Sequence, residues 1–266
     1  MKKLNLILIL IFTTLLIISC SDEDDTFLVS DTDYFPLEVD NSWTYENELN
    51  QNSESLEGLE TLTVNEQSQN RFSFTQTVTN LGGFYTGVLS SGEVYKQDGN
   101  RKIIYDGEFS IQLENNLPSL NIPLQEVVLY DANLSQASIM SSNSGEFQQD
   151  INGFPVDFNY EINSIHNGFS AEEIINNETY QDVFVSEIQV LLSASAFLVF
   201  TNFTILQEQT VTTITNYYAK DIGLISSEVS TEIIFEDIPE QLEVEVPDVN
   251  FTSTQQLQSY SLNTNS

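Results

Sequence analysis

From Tyr34 onward, apolar and polar residues alternate along the chain. In Phe109-Ser110-Ile111-Gln112-Leu113-Glu114 every second residue is apolar, and 156–162 repeats the pattern with acids and amides in between. A period of two puts the apolar side chains on one face of an extended strand and the polar ones on the other. Residues 71–74, 210–218 and 229–235 read the same way, and 256–262 predicts a closing strand. β-Branched and aromatic residues are abundant throughout, as a pleated half-buried surface favours. Asp98-Gly99-Asn100, set between Val94-Tyr95 and Ile103-Ile104-Tyr105, predicts a hairpin. Gly82-Gly83, Ser91-Gly92, Asp106-Gly107, Asn152-Gly153 and Asn167-Gly168 predict further turns. No amphipathic helix of four turns is evident, only short candidates at 134–140 and 171–176. The pattern predicts a mostly β domain over 34–264, built as one curved antiparallel sheet or half-barrel.

Two internal stretches depart from simple alternation. Residues 190–200 are the most apolar, but Glu187, Gln189, Asn202, Gln207 and Glu208 close around them. Too few apolar residues remain to cross a bilayer, so two buried strand segments joined through 193–195 are expected. Residues 236–250 are acidic and hold Pro239 and Pro247, which predicts an exposed loop with an edge strand at 242–246.

The amino terminus follows a different rule. Lys2-Lys3 precede a nearly unbroken apolar run over 4–18, interrupted by Asn5 and Thr13-Thr14. That run is short for a membrane span and has the length of a signal-peptide core. It ends in Leu16-Ile17-Ile18-Ser19-Cys20, which resembles a lipobox despite Ile18 standing where a small residue is commoner. The resemblance implies cleavage between Ser19 and Cys20 and acylation of Cys20. Two or three acyl chains anchor a protein durably, since each buried methylene contributes about 0.8 kcal/mol. Ser21-Asp22-Glu23-Asp24-Asp25 follows at once, within an acidic tether over 20–33. Its position behind the cysteine resembles the acidic export signal of Bacteroidota surface lipoproteins, and implies the outer membrane and the cell surface.

Composition removes several alternatives. The 266 residues are 40% hydrophobic, enough for a sizeable core, and hold 40 acids against 7 bases. Such a surface repels nucleic acid and anionic headgroups, so attachment to a membrane rests on the acyl anchor. Cys20 is the only cysteine, which rules out an internal disulfide and a cysteine zinc site. His166, the only histidine, sits before Asn167-Gly168 without a nucleophile elbow and reads as a surface or turn residue. Phosphate-cradling and dinucleotide motifs are absent, and no cofactor or metal is implied. Carboxylates are abundant, but no pair stands out. Asp157 and Glu161 read as solvated, which leaves carboxylate-based glycan hydrolysis a remote alternative.

Three stretches together are similar to a group of uncharacterised Bacteroidota lipoproteins. They are Tyr34-Phe35-Pro36-Leu37-Glu38-Val39-Asp40-Asn41-Ser42-Trp43-Thr44-Tyr45, Tyr180-Gln181-Asp182-Val183-Phe184-Val185 and Tyr217-Tyr218-Ala219-Lys220-Asp221-Ile222-Gly223-Leu224-Ile225. That group resembles β-clam lipoproteins and carriers of the LolA/LolB/LppX type. The resemblance implies a curved antiparallel sheet over a hydrophobic hollow. Asp40 and Asp221 stand where glycine is expected, and Asp tolerates left-handed backbone. Trp43 and Tyr45 are expected in the core, with Gly223 at a turn. The combined expectation is a non-enzymatic envelope lipoprotein binding a hydrophobic ligand or a partner segment. An assembly subunit of an envelope complex is the alternative.

Overall fold

The computed structural model describes residues 33–113, 118–151, 153–198, 201–237 and 246–263. The signal peptide, Ser19, Cys20 and the acidic run over 21–25 lie outside them, as do residues 242–245 of the edge strand expected at 242–246.

Twelve antiparallel strands form one sheet: β1 Ser42–Gln51, β2 Glu54–Ser68, β3 Arg71–Thr79, β4 Glu93–Gln97, β5 Lys102–Ile111, β6 Leu120–Asp131, β7 Ile139–Ile151, β8 Phe154–Ile175, β9 Glu178–Leu198, β10 Thr201–Ala219, β11 Gly223–Ile233 and β12 Val249–Ser261. A helix, α1, spans Phe84–Ser90 between β3 and β4. Each strand pairs with its sequence neighbours, β12 returns to β1, and β6 and β7 are the two ends of the sheet. These ends approach each other. Val128 N–H donates to Ser141 Oγ (3.0 Å), Gln149 Nε2 donates to the Ser119 carbonyl (2.8 Å), and Ser164 Oγ donates to the Val128 carbonyl. Side chains thus stitch a seam that backbone ladders leave open, and the curved sheet nearly closes into a barrel.

The strands form where alternation predicts them, and tight turns join them. Asn52-Ser53 and Asn176-Asn177 both take left-handed backbone, as two-residue hairpins require. Asp98 and Gly99 do the same at the hairpin read from sequence. Two predicted turns are instead irregularities inside strands. Asp106-Gly107 lies in β5 and Asn167-Gly168 in β8, each at a register shift. Here glycine admits a bulge rather than a reversal. Both helix candidates also fail. Residues 139–140 open β7 and 171–175 extend β8, paired to β9. Residues 190–198 form one continuous strand end with Val190, Leu192, Ala194 and Ala196 inward, without a break at 193–195. β12 starts at Val249, so the acidic loop ends earlier than expected.

An eight-stranded barrel is filled by its own side chains, and twelve strands enclose more room. Part of that excess is taken by α1, whose Tyr85, Thr86, Val88 and Leu89 are buried. Tyr85 and Tyr218 hydroxyls meet at 2.7 Å. The helix is held at its start by Glu60, 1% exposed, whose carboxylate accepts from Gly83 N–H (2.7 Å), Gln76 Nε2 (2.9 Å), the Thr86 hydroxyl and Gln255 Nε2. Burial raises the Glu60 pKa against the lowering effect of these four donors. Outward positions include exposed Glu46, Glu161, Glu228 and Glu232. That pattern is unlike the apolar band of a membrane barrel.

Candidate functional site

The three motifs meet at one end of the sheet. Phe35 lies on Trp43 (ring centroids 5.1 Å), Phe74 (5.8 Å) and Tyr218 (6.0 Å), and Tyr34 lies on Phe184 (5.7 Å). Trp43 Nε1 donates to the Ile222 carbonyl (2.7 Å), and the Tyr45 hydroxyl donates to that of Leu224 (3.0 Å). Asp221 N–H donates to the Asp33 carbonyl (2.7 Å), and Lys96 pairs with the Asp33 carboxylate (2.7 Å). Trp43 and Tyr45 are fully buried. Gly223 has φ +117, and a Cβ there would stand 2.8 Å from Trp43 Nε1. Asp40 and Asp221 take φ of 71 and 57, the left-handed backbone expected of them. These motifs pack together and close one end of the body.

His166 departs from expectation. It is 1% exposed and faces the interior from within β8, against Phe184 at 4.5 Å. Its Nδ1 accepts from Gly168 N–H (2.9 Å). Sequence placed it at a turn because Gly168 follows, but that glycine makes the bulge. Desolvation lowers its pKa, so the ring is neutral near pH 7. Asp157 and Glu161 are exposed, with side-chain amides of Gln148 and Asn163 donating to them. Among the described residues, no three His, Cys, Asp or Glu side chains converge to hold a metal ion. Nor is any helix there long and apolar enough to cross a membrane.

The interior is packed where the β-clam resemblance implies a hollow. An enclosed cavity walled by Tyr85, Leu89, Phe109, Leu129, Ile188 and Ile214 has a volume of about 10 Å³, room for one water. The larger spaces open to solvent. Clefts of about 450 and 510 Å³ are lined mainly by acids, amides and serines, among them Glu46, Glu57, Glu146 and Glu161. A third, of about 640 Å³, has an apolar floor of Leu49, Leu56, Phe84, Leu113 and Phe251. Its polar rim includes Glu54 and Ser110. Phe84 packs on Phe109 (5.5 Å) and Phe251 (5.6 Å), so two buried walls fix its ring. Leu56 is 54% exposed. This volume lies within the range of small-ligand sites, about 300–1,000 Å³.

The cleft and the motif cluster occupy opposite ends of β1. Trp43, near the start of that strand, belongs to the cluster, and Leu49 and Gln51 end it in the cleft. Six to eight residues at about 3.3 Å each separate the two by about 20–26 Å. Sequence alone did not reveal the cleft, because its floor joins β1, β2, α1, β12 and the end of β5. The signal available was local: Leu49, Leu56 and Phe84 are apolar beside turns.

No protein-family model matches the chain, and no curated protein sequence matches it. Two solved structures are similar to the chain. One is described as an exported protein with a YmcC-like fold from Bacteroides fragilis, at 8% identity and a TM-score of 0.36 over 87% of this chain and 100% of that one. The other is described as a lipoprotein from Parabacteroides distasonis, at 10% identity and a TM-score of 0.34 over 86% of this chain and 99% of that one.

Proposed function

We propose that the chain is an envelope lipoprotein, cut before Cys20, acylated there and displayed on the cell surface. It acts by binding, and takes an apolar segment of a ligand or partner in the end cleft. The observation that carries this reading is the cleft of about 640 Å³, where Leu56, Leu49 and Phe84 bring apolar surface to solvent over buried Leu113 and Phe251. Burying one leucine is worth about 1.5–3 kcal/mol, so a handful of such groups supports useful affinity. The packed interior also supports the second reading, an assembly subunit whose sheet is a scaffold.

The test is recovery of the full chain from its host, as wild type and as Leu56→Glu, with mass spectrometry of co-purifying lipids and proteins. Leu56 is half exposed, so the variant keeps its fold. The expected result is a stoichiometric companion on the wild type, reduced at least about tenfold by the introduced charge. Equal recovery from both forms rules the cleft out as the binding site.

A further inference from the structure

The interior carries a row of polar side chains, one from each of six neighbouring strands. Cross-strand pairing runs His166–Ser186, Ser186–Asn216, Asn216–Ser227, Ser227–Gln255 and Gln255–Asn47, from β8 across β9 to β12 and on to β1. None of the six is more than 3% exposed. They sit on the inward register of their strands, beside Phe184 and Tyr218 on one side and Ile188 and Ile214 on the other.

The row is polar without being satisfied. His166 Nε2, Ser186 Oγ, both amide atoms of Asn216, Ser227 Oγ, Gln255 Oε1 and Asn47 Oδ1 find no hydrogen-bond partner in the protein. Among the described residues, every such buried side-chain atom belongs to this row. At the ends the second polar atom is bonded: His166 Nδ1 accepts from Gly168 N–H, Asn47 Nδ2 donates to the Leu81 carbonyl (3.2 Å), and Gln255 Nε2 donates to Thr86 Oγ1 (2.9 Å). One side of the row is therefore fixed by the chain while the other is left over. Buried polar atoms without partners are costly one by one, and seven together rival the net stability of an ordinary domain.

We propose that a file of internal water molecules runs along this row and is a permanent part of the core. The spacing suits it. Neighbouring strands lie about 4.8 Å apart, and a water making two hydrogen bonds of about 2.8 Å spans up to about 5.6 Å. One water can thus bridge each adjacent pair. The cavity next to the row, past Ile188 and Ile214, has apolar walls and about 10 Å³, far too small for an organic ligand. Serine hydroxyls donate and accept, and Asn216 offers both functions, so the row can bind waters that relay hydrogen bonds in either direction.

The experiment is water-to-protein NOE and ROE spectroscopy on the isotope-labelled full chain in detergent. Long-lived water cross-peaks to the side-chain amides of Asn47 and Asn216 and to the His166 ring are expected. Their absence at all three residues overturns the proposal. Asn216→Leu, which removes the central link, is expected to abolish water cross-peaks at Ser186 and Ser227. Retention of both in a folded variant overturns the continuous file. Should that variant not fold, the wild-type spectrum alone decides. A small organic molecule held in equal stoichiometry by the wild-type chain in native mass spectrometry also overturns it.

Discussion

Replacing Glu60 with alanine is expected to release α1 from the sheet. The carboxylate accepts from four donors, and three of them, Gly83 N–H, the Thr86 hydroxyl and Gln255 Nε2, are buried. A buried donor left without an acceptor costs roughly 1–3 kcal/mol. Removing a buried carboxylate returns part of that sum, because its desolvation costs several kcal/mol. The net expectation is a loss of about 2–4 kcal/mol, or roughly 5–15 °C in melting temperature for a body of this size. Urea titration followed by Trp43 fluorescence measures it, since Trp43 is the only tryptophan and is fully buried. A second variant, Glu60→Gln, isolates the charge. Burial raises the Glu60 pKa in the folded state, so around and above the ordinary value of about 4.5 the native form holds more protons than the unfolded one. Stability from this group therefore falls as pH rises from about 4.5 to the folded pKa, and is level beyond it. The wild type should show that slope and Glu60→Gln should lack it. An unchanged urea midpoint in Glu60→Ala, or identical pH slopes in the two glutamate/glutamine forms, refutes the reasoning.

Three further outcomes follow from other parts of the molecule. The His166 ring, whose pKa burial lowers, should be less than half protonated at pH 6.5, and its share of stability should fall as pH drops below that value; the ring-proton NMR titration of this single histidine reads it. Gly223→Ala should cost at least about 1–3 kcal/mol, because φ is +117 and the new Cβ meets Trp43 Nε1; an unchanged thermal midpoint contradicts the assignment. Cys20→Ser should move the protein from the membrane fraction to the soluble one, and continued sedimentation with membranes contradicts an acyl anchor.

Sequence carried the strands well and the joints poorly. Alternation at 71–74, 156–162 and 210–218 identified β3, β8 and β10, because each strand has one wet face. Helix α1 escaped, since seven residues containing Gly87 and flanked by Gly82-Gly83 and Ser91-Gly92 read as a string of turns. Its helical state depends on Glu60 and Tyr218, both distant in sequence. Asp106-Gly107 and Asn167-Gly168 show the same limit: a local turn signal does not distinguish a reversal from a bulge inside a longer ladder. The polar row was hidden for another reason. Ser186 and Asn216 each look like a stray polar residue in their own strand, and only the pairing register aligns them.

That register bears on where a ligand can go. An apolar chain threaded along the axis would lie against His166, Ser186, Asn216, Ser227, Gln255 and Asn47, and hydrocarbon offers none of them a hydrogen bond. It would also have to displace α1, which fills the lumen and is tied to β2 and β12 through Glu60 and Gln255. Tyr34, Phe35 and Leu37 close the end where the tether joins. An apolar guest thus meets a packed end, a polar belt and a latched helix before it meets free volume. At the other end it meets Leu56, Leu49, Phe84 and Phe251 directly, in a cleft already open to solvent. On the proposed binding role, the same construction that stiffens the body leaves the far rim, rather than the sheet's interior, as the place for an apolar guest.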